Sequence, residues 1–131
     1  MSNVTERLTE VFDRGCRDGI GVLSADERDL YLIQEFILDY EMGGLSGYLY
    51  NHLLDIHQIR TVISAMQKRQ LTTLATLLEE AIGLFADCRE QEFQSTWNSI
   101  LMAYDPDDLL SVIDSRITSL DDYGLGTAEI A

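Results

Sequence analysis

Carboxylate side chains are the residues of this sequence whose number and spacing could do chemistry. The chain has 23 Asp and Glu residues against nine Lys and Arg, so its formal net charge is −14 over 131 residues. Some of these acids, such as Glu35 and Asp39, are four residues apart, which places them about 6 Å apart on one face of a helix. Phosphates along a nucleic-acid strand have a similar spacing. A rigid array of such carboxylates could attract a DNA-binding surface in place of DNA.

Eight acids are the predicted contact residues for a positively charged partner, each as a phosphate surrogate. Helix dipoles favour acids at helix starts, but this does not explain Glu35, Asp39 or Asp114. Like charges four residues apart on a helix cost about 0.2–0.5 kcal/mol, so their presence needs a reason. A generally acidic, solvated surface is the alternative explanation. The predicted partner-binding residues are Glu35, Asp39, Asp87, Glu90, Glu92, Asp107, Asp108 and Asp114.

Residues that could catalyse a reaction or bind a metal lack the spacing that such sites need. The GGLSG segment at 43–47 has no preceding strand and no following lysine for a phosphate. His52 and His57 are five residues apart with Asp55 between them, and they lack the i,i+4 pairing of a typical metal site. The DPDD segment at 105–108 lacks the glycine and terminal glutamate of a calcium loop. We therefore expect no catalytic residue, no metal ligand and no cofactor.

Charge and composition also restrict the location and the partners. Cys16 and Cys88 lack metal-type spacing and an activating context, so we expect two buried, reduced thiols. No apolar run approaches the roughly 20 residues that cross a bilayer, and the N-terminal segment has no export signal. These features favour a cytoplasmic protein without membrane contact. Because the net charge repels nucleic acid, the predicted partner is a basic protein surface. A homodimer is compatible with the sequence.

The elements that must position the acids are helices. Apolar residues make up 46% of the chain, which is enough for a core. They recur at helical spacing in nearly every segment. This pattern predicts an all-α, single-domain bundle of about seven helices over residues 1–131, with Trp97 in its core. We divide it into an N-terminal helix and loop (1–23), a helical core (24–120) and a frayed tail (121–131).

Local signals predict where these helices begin and end. Ser24 and Glu27 have capping-box spacing at the start of the most hydrophobic segment. Gly43 and Gly44 follow that segment and should end its helix, with at least one glycine at positive φ. The DPDD segment at 105–108 predicts the start of the last helix, with its first aspartate as N-cap and its proline at N1.

Residues 41–51 resemble the signature of a small bacterial all-helical family. The signature has the form N-G-G-F-x-Q-[FY]-[FLI]-x-N, and this chain has MGGLSGYLYN at 42–51. The glycines allow a tight corner, the tyrosine packs, and the asparagine amide can hydrogen-bond the corner's backbone. The residues that match the signature and have these structural roles are Gly43, Gly44, Tyr48 and Asn51. The residues that differ from the signature are Met42, Leu45 and Gly47.

The resemblance extends over about residues 25–120. Two further segments, LTTLATLLEEAIGLF and FQSTWNSILMAYDPDDLLSVIDSRI, are similar to the later helices of the family. The family is catalogued as a domain of unknown function and is named for an acidic DNA mimic. The resemblance implies a non-enzymatic protein that binds a basic DNA-binding protein, such as a transcriptional regulator. An immunity-type inhibitor of a nuclease toxin would use the same electrostatics, and an enzyme with an unrecognised site is a third alternative.

Overall fold

The computed structural model of the chain describes residues 3–52, 55–88 and 97–129. Within these ranges the chain forms helices and no strand. The α-helices are α1 (Asn3–Asp18), α2 (Ala25–His52), α3 (Ile56–Lys68), α4 (Thr72–Gly83), α5 (Trp97–Tyr104) and α6 (Leu109–Thr118). Because Gly44 breaks α2 into two arms, these amount to seven helical segments, which confirms the predicted all-α bundle. No helix in the described ranges is both long enough and apolar enough to cross a membrane.

The core lies where α1 and α3 pack against α2, and where α4 packs against α3 and α6. Phe36 and Tyr48, from the two arms of α2, are buried at its centre and meet edge to face at 4.8 Å. Trp97 is 9% exposed and stacks on Phe85 at 5.6 Å. Its indole Nε1 donates to the Ser46 hydroxyl at 3.0 Å. The predicted burial of Trp97 is therefore confirmed.

The predicted capping box opens α2. The Ser24 backbone N–H donates to Glu27 Oε1 at 2.9 Å, and the Glu27 N–H donates to Ser24 Oγ at 3.2 Å. The Arg14 guanidinium also bonds the Glu27 carboxylate. The bond from Ser24 and then the one from Arg14 lower the pKa of Glu27 to about 2. The first turn of α2 is thus joined to α1 as well as capped.

The N-terminal helix occupies most of the predicted helix-and-loop segment 1–23. It continues past Gly15 to Asp18. Gly15 is buried beneath the ring of Tyr31, where a Cβ would lie 2.6 Å from the ring, so glycine is needed there for close packing and not as a helix end. A 3-10 turn (Ile20–Val22) follows in place of an extended loop. Cys16 is exposed, so the expectation that it is buried is wrong, since Gly15 faces the core in its place.

The C-terminal segment packs against the bundle and is not frayed through residue 129. Residues Asp121–Thr127 form 3-10 turns, and Leu125 is only 3% exposed. The Glu129 N–H donates to the Arg69 carbonyl at 2.9 Å. Burial of Leu125 offsets the conformational-entropy cost of ordering the tail.

Candidate functional site

The chain turns sharply at Gly44, between the two arms of α2. Gly44 has φ 65° and ψ −163°, a conformation that is essentially restricted to glycine. This confirms the predicted corner with a glycine at positive φ. A Cβ added at Gly44 would lie 2.6 Å from Asp114 Oδ2. The carboxylate of α6 therefore packs directly on the corner.

Asp114 holds this corner through both carboxylate oxygens. Its Oδ2 accepts from the Leu45 backbone N–H at 3.2 Å, and its Oδ1 accepts from the Tyr40 hydroxyl at 2.5 Å. A carboxylate on the first N–H of a helical arm satisfies an otherwise unpaired donor and favours the helix dipole. Burial and the bond to Asp114 raise the pKa of Tyr40 to about 12, so Tyr40 remains a neutral donor. Asp114, expected as a phosphate surrogate, thus has both oxygens engaged inside the protein.

The two polar residues of the signature differ in what they do at the corner. Tyr48 is 1% exposed and packs in the core, as the motif implies. Asn51 is exposed, and within the described residues it makes no hydrogen bond to the corner's backbone. It lies nearly two turns beyond Leu45, and Asp114 bonds the Leu45 N–H in its place. The expected bond from Asn51 is therefore replaced by one from α6.

Glu35 and Asp39 also face other parts of the protein. Asp39 Oδ2 lies 2.5 Å from His52 Nε2, across the two arms of α2. Glu35 Oε1 accepts from Gln58 Nε2 of α3 at 3.2 Å. Burial raises the pKa of Glu35; the nearby Asp39 raises it further, while His52 opposes both effects. These two acids form a half-buried polar cluster and not an open array.

Replacing Glu35 by Gln should leave the protein as stable as before at pH 7, or more stable. The raised pKa means that the folded state binds a proton more tightly than the unfolded state does. The contribution of Glu35 to the free energy of unfolding is therefore present at low pH and is lost as the pH rises through the raised pKa of Glu35. The amide still accepts from Gln58 without a buried charge.

The measurement is the free energy of unfolding of both proteins between pH 4 and 7. The difference between Glu35→Gln and the unmodified chain should move in favour of the variant as the pH rises. A variant that is less stable by about 1 kcal/mol or more at pH 7 would show that ionised Glu35 is needed for the fold.

A second group of acids lies near the start of α6, and it contains one buried and two exposed carboxylates. Asp105 is only 7% exposed, and its carboxylate accepts from the backbone N–H groups of Leu109 (2.7 Å) and Leu110 (3.0 Å). The helix begins at Leu109, three residues later than the sequence predicts, because Asp105 caps it from a preceding turn. That turn is closed by a bond from the Asp108 N–H to the Asp105 carbonyl at 3.1 Å. Asp107 and Asp108 are left exposed.

Asp87 is joined through its backbone carbonyl to α5, the helix that precedes this turn. The Tyr104 hydroxyl at the end of α5 donates to the Asp87 carbonyl at 3.4 Å, and the turn at 105–108 follows Tyr104 directly. Asp87 is exposed. We call Asp87, Asp107 and Asp108 the acidic end of the bundle. Glu90 and Glu92, which follow Asp87 in sequence, lie outside the described residues.

The two histidines are separated by the structure as well as by the sequence. His52 contacts Asp39, whereas His57 is exposed on α3. Asp55 between them caps α3 by accepting from the Gln58 N–H at 3.2 Å. In the part of the chain that is described, no group of three or more His, Cys, Asp or Glu residues is arranged to hold a metal ion.

Comparison with known proteins agrees with the resemblance seen in the sequence. The family model described as DMP19-like protein matches residues 22–129, which include every helix from α2 to α6 and the corner at Gly44. No curated protein and no solved structure gives a significant match. Because the family model covers most of its length, this chain belongs to the DMP19-like family.

Proposed function

We propose that this chain is a cytoplasmic, non-enzymatic binding protein whose acidic end mimics the phosphate backbone of DNA. It engages the basic surface of a DNA-binding protein such as a transcriptional regulator. The name of the family, which derives from a DNA mimic protein, supports the general class. We infer the particular partner from charge and geometry.

The observation that carries this proposal is the separation of structural acids from displayed acids. Asp105 and Asp114 are used inside the bundle to cap helical segments. Asp107 and Asp108 lie in the turn between Asp105 and α6 and remain exposed, although Asp108 Oδ1 also accepts from the exposed Ser111 hydroxyl at 2.9 Å. A rigid capped turn holds these carboxylates without a large ordering cost on binding. Such preorganised negative charge is what a phosphate-binding surface recognises.

Exposed apolar side chains lie next to the acidic end. Leu109 is 47% exposed and Val112 is 48% exposed, one turn apart on α6. Apolar contacts at the centre with charges around them are the usual composition of a protein interface. A bound protein could cover these residues, whereas DNA-like charge alone would not need them. The combination of exposed carboxylates and exposed apolar side chains favours a protein partner that contacts both.

The test begins with capture of the partner from the native host at low salt and its identification by mass spectrometry. Binding of the purified partner to this chain is then titrated with salt and with competitor DNA. Affinity should fall steeply with salt, because screening shortens to about 8 Å near physiological ionic strength. DNA should compete, since both ligands occupy the same lysines and arginines of the partner.

Neutralising the acidic end should slow association. The variant Asp87→Asn/Asp107→Asn/Asp108→Asn should lower the on-rate by about tenfold with little loss of stability, because exposed charges act mainly through steering. A matched control, Glu6→Gln/Glu10→Gln/Asp13→Asn, makes the same change of net charge on exposed residues of α1. It should have a clearly smaller effect on the on-rate.

Three results would contradict the proposal. Binding that does not depend on salt would exclude electrostatic mimicry, and a ternary complex with DNA still bound would place the contact elsewhere on the partner. Equal effects of the two triple variants would mean that overall charge, and not the acidic end, drives association. Capture of a nuclease toxin in place of a DNA-binding regulator would support an immunity-type inhibitor.

A further inference from the structure

Three basic side chains have no acidic partner in the described part of the chain, although the protein has 23 acids. Arg28 lies on α2, and Arg60 and Lys68 lie on α3, and all three are exposed. The other described bases form ion pairs with Asp or Glu: Arg7, Arg14, Arg17, Arg69 and Arg116. The unpaired cations thus belong to two adjacent helices of an otherwise acidic protein.

Two adjoining clefts bring these cations together. The first, of about 380 Å³, is lined by Arg28 and by the apolar side chains of Ile20, Tyr31 and Leu32. The second, of about 360 Å³, is lined by Arg60, Ser64 and Lys68 among others. His57 and Thr61 line both clefts, so they form one groove along the exposed side of α3. We call this the α2–α3 groove.

The two acids that line the groove are already engaged. Asp55 accepts from the Gln58 N–H at 3.2 Å as the cap of α3. Asp29 accepts from Arg69 Nη1 at 3.2 Å, and Arg69 is buried. No acid occurs anywhere in residues 56–78, which include all of α3. The α2–α3 groove is therefore locally cationic on a chain whose formal net charge is −14.

We propose that the α2–α3 groove binds an acidic, amphipathic segment of a protein. Apolar side chains of that segment contact Ile20, Tyr31 and Leu32, while its carboxylates pair with Arg28, Arg60 and Lys68. Ile20 is 52% exposed, so an apolar side chain placed there removes its surface from water. The groove attracts an acidic partner, whereas the acidic end attracts a basic one. This proposal does not depend on the proposed function.

A protein segment fits this groove better than a nucleic acid does. A polyanion would be repelled by the remaining acids, and three cations offset only a small part of that repulsion. It would also place charged phosphates against the apolar cleft around Ile20 and Leu32, at a desolvation cost. An amphipathic peptide supplies both kinds of contact and presents far fewer charges.

The test uses a fluorescein-labelled peptide with Leu at helical i, i+3, i+4 and i+7 spacing and Glu on its flanks. Its binding to the full chain is followed by fluorescence anisotropy at low salt. A second peptide with Gln in place of each Glu is the charge control. We expect the Glu peptide to bind at least about tenfold more tightly, because only it pairs with the groove's cations. Amide chemical-shift changes should centre on residues 28–32 and 57–68.

Charge reversal at the groove provides the matched comparison. Arg28→Glu/Arg60→Glu should weaken binding of the Glu peptide by about tenfold or more. The control Arg17→Glu/Arg116→Glu makes the same change of net charge at exposed side chains that do not line the groove. It should weaken binding much less. Replacing Ile20 by Ser should weaken both peptides, because it removes an apolar contact.

Several outcomes would overturn this proposal. If the Glu and Gln peptides bound equally, or if the two double charge-reversal variants had equal effects, pairing with the cations of the groove would not drive binding. A short DNA duplex that binds the chain and displaces the peptide would assign the groove to nucleic acid. Concentration-dependent self-association that Arg28→Glu/Arg60→Glu abolishes would assign it to a second copy of this chain. Circular dichroism of each variant confirms that it is folded before binding is compared.

Discussion

Replacing Gly44 by Ala should destabilise the protein by about 3–5 kcal/mol, a large fraction of the roughly 5–15 kcal/mol that is typical of a folded domain. The backbone at Gly44, with φ 65° and ψ −163°, costs an L-residue roughly 1–3 kcal/mol. The added Cβ would also lie 2.6 Å from Asp114 Oδ2 and displace it. Losing the bonds of a displaced carboxylate costs about 1.5–3 kcal/mol more. Chemical denaturation followed by circular dichroism measures the loss.

The neighbouring glycine is a matched control for this prediction. A Cβ added at Gly43 meets no atom within 4 Å, and Gly43 is not at positive φ. Gly43→Ala should therefore leave stability unchanged or raise it by up to about 1 kcal/mol through helix propensity. The double variant Gly44→Ala/Asp114→Ala should lose less than the sum of the single losses, because the carboxylate no longer clashes. Equal effects of Gly43→Ala and Gly44→Ala would contradict the observed corner.

The helices and their local signals could be predicted because they depend on neighbouring residues. Capping at Ser24 and Glu27 involves residues three apart, and the glycine corner follows from conformational freedom at one position. The sequence pattern predicts the start of α6 three residues too early, because Asp105 has the spacing of an N-cap. Its side chain caps Leu109 and Leu110 from outside the helix, with a turn between, and sequence spacing does not distinguish these arrangements.

The roles of the acids could be predicted only in part. Glu35, Asp39 and Asp114 were the acids that helix dipoles did not explain, and all three make tertiary hydrogen bonds. The partners of Asp114 are 74 and 69 residues away in sequence, so spacing could not identify them. One signal was present: Asp114 lies four residues after Leu110 and three before Ile117, on the buried side of α6. An acid on an apolar helix face needs an internal partner.

Replacing Asp114 by Ala should lower stability by about 3 kcal/mol without changing the intrinsic affinity for the partner. The change removes two hydrogen bonds to a charged acceptor and the cap of the second arm of α2. Tyr40→Phe removes one of those donors and should cost less. In a double-mutant cycle the two losses should not add, because they share the same bond. Urea denaturation measures the four stabilities.

Asp107→Ala is the matched control, since it makes the same chemical change at an exposed residue near the start of α6. Its loss of stability should stay within about 0.5 kcal/mol, as for other surface substitutions. The rate of association with the partner should show the opposite order. Asp107→Ala slows association, whereas Asp114→Ala changes the observed rate only by lowering the fraction of folded protein. If Asp114→Ala kept full stability and slowed association as much as Asp107→Ala does, Asp114 would be a contact residue. The corner at Gly44 would then have to be held by the packing of Leu45 and Tyr48 alone.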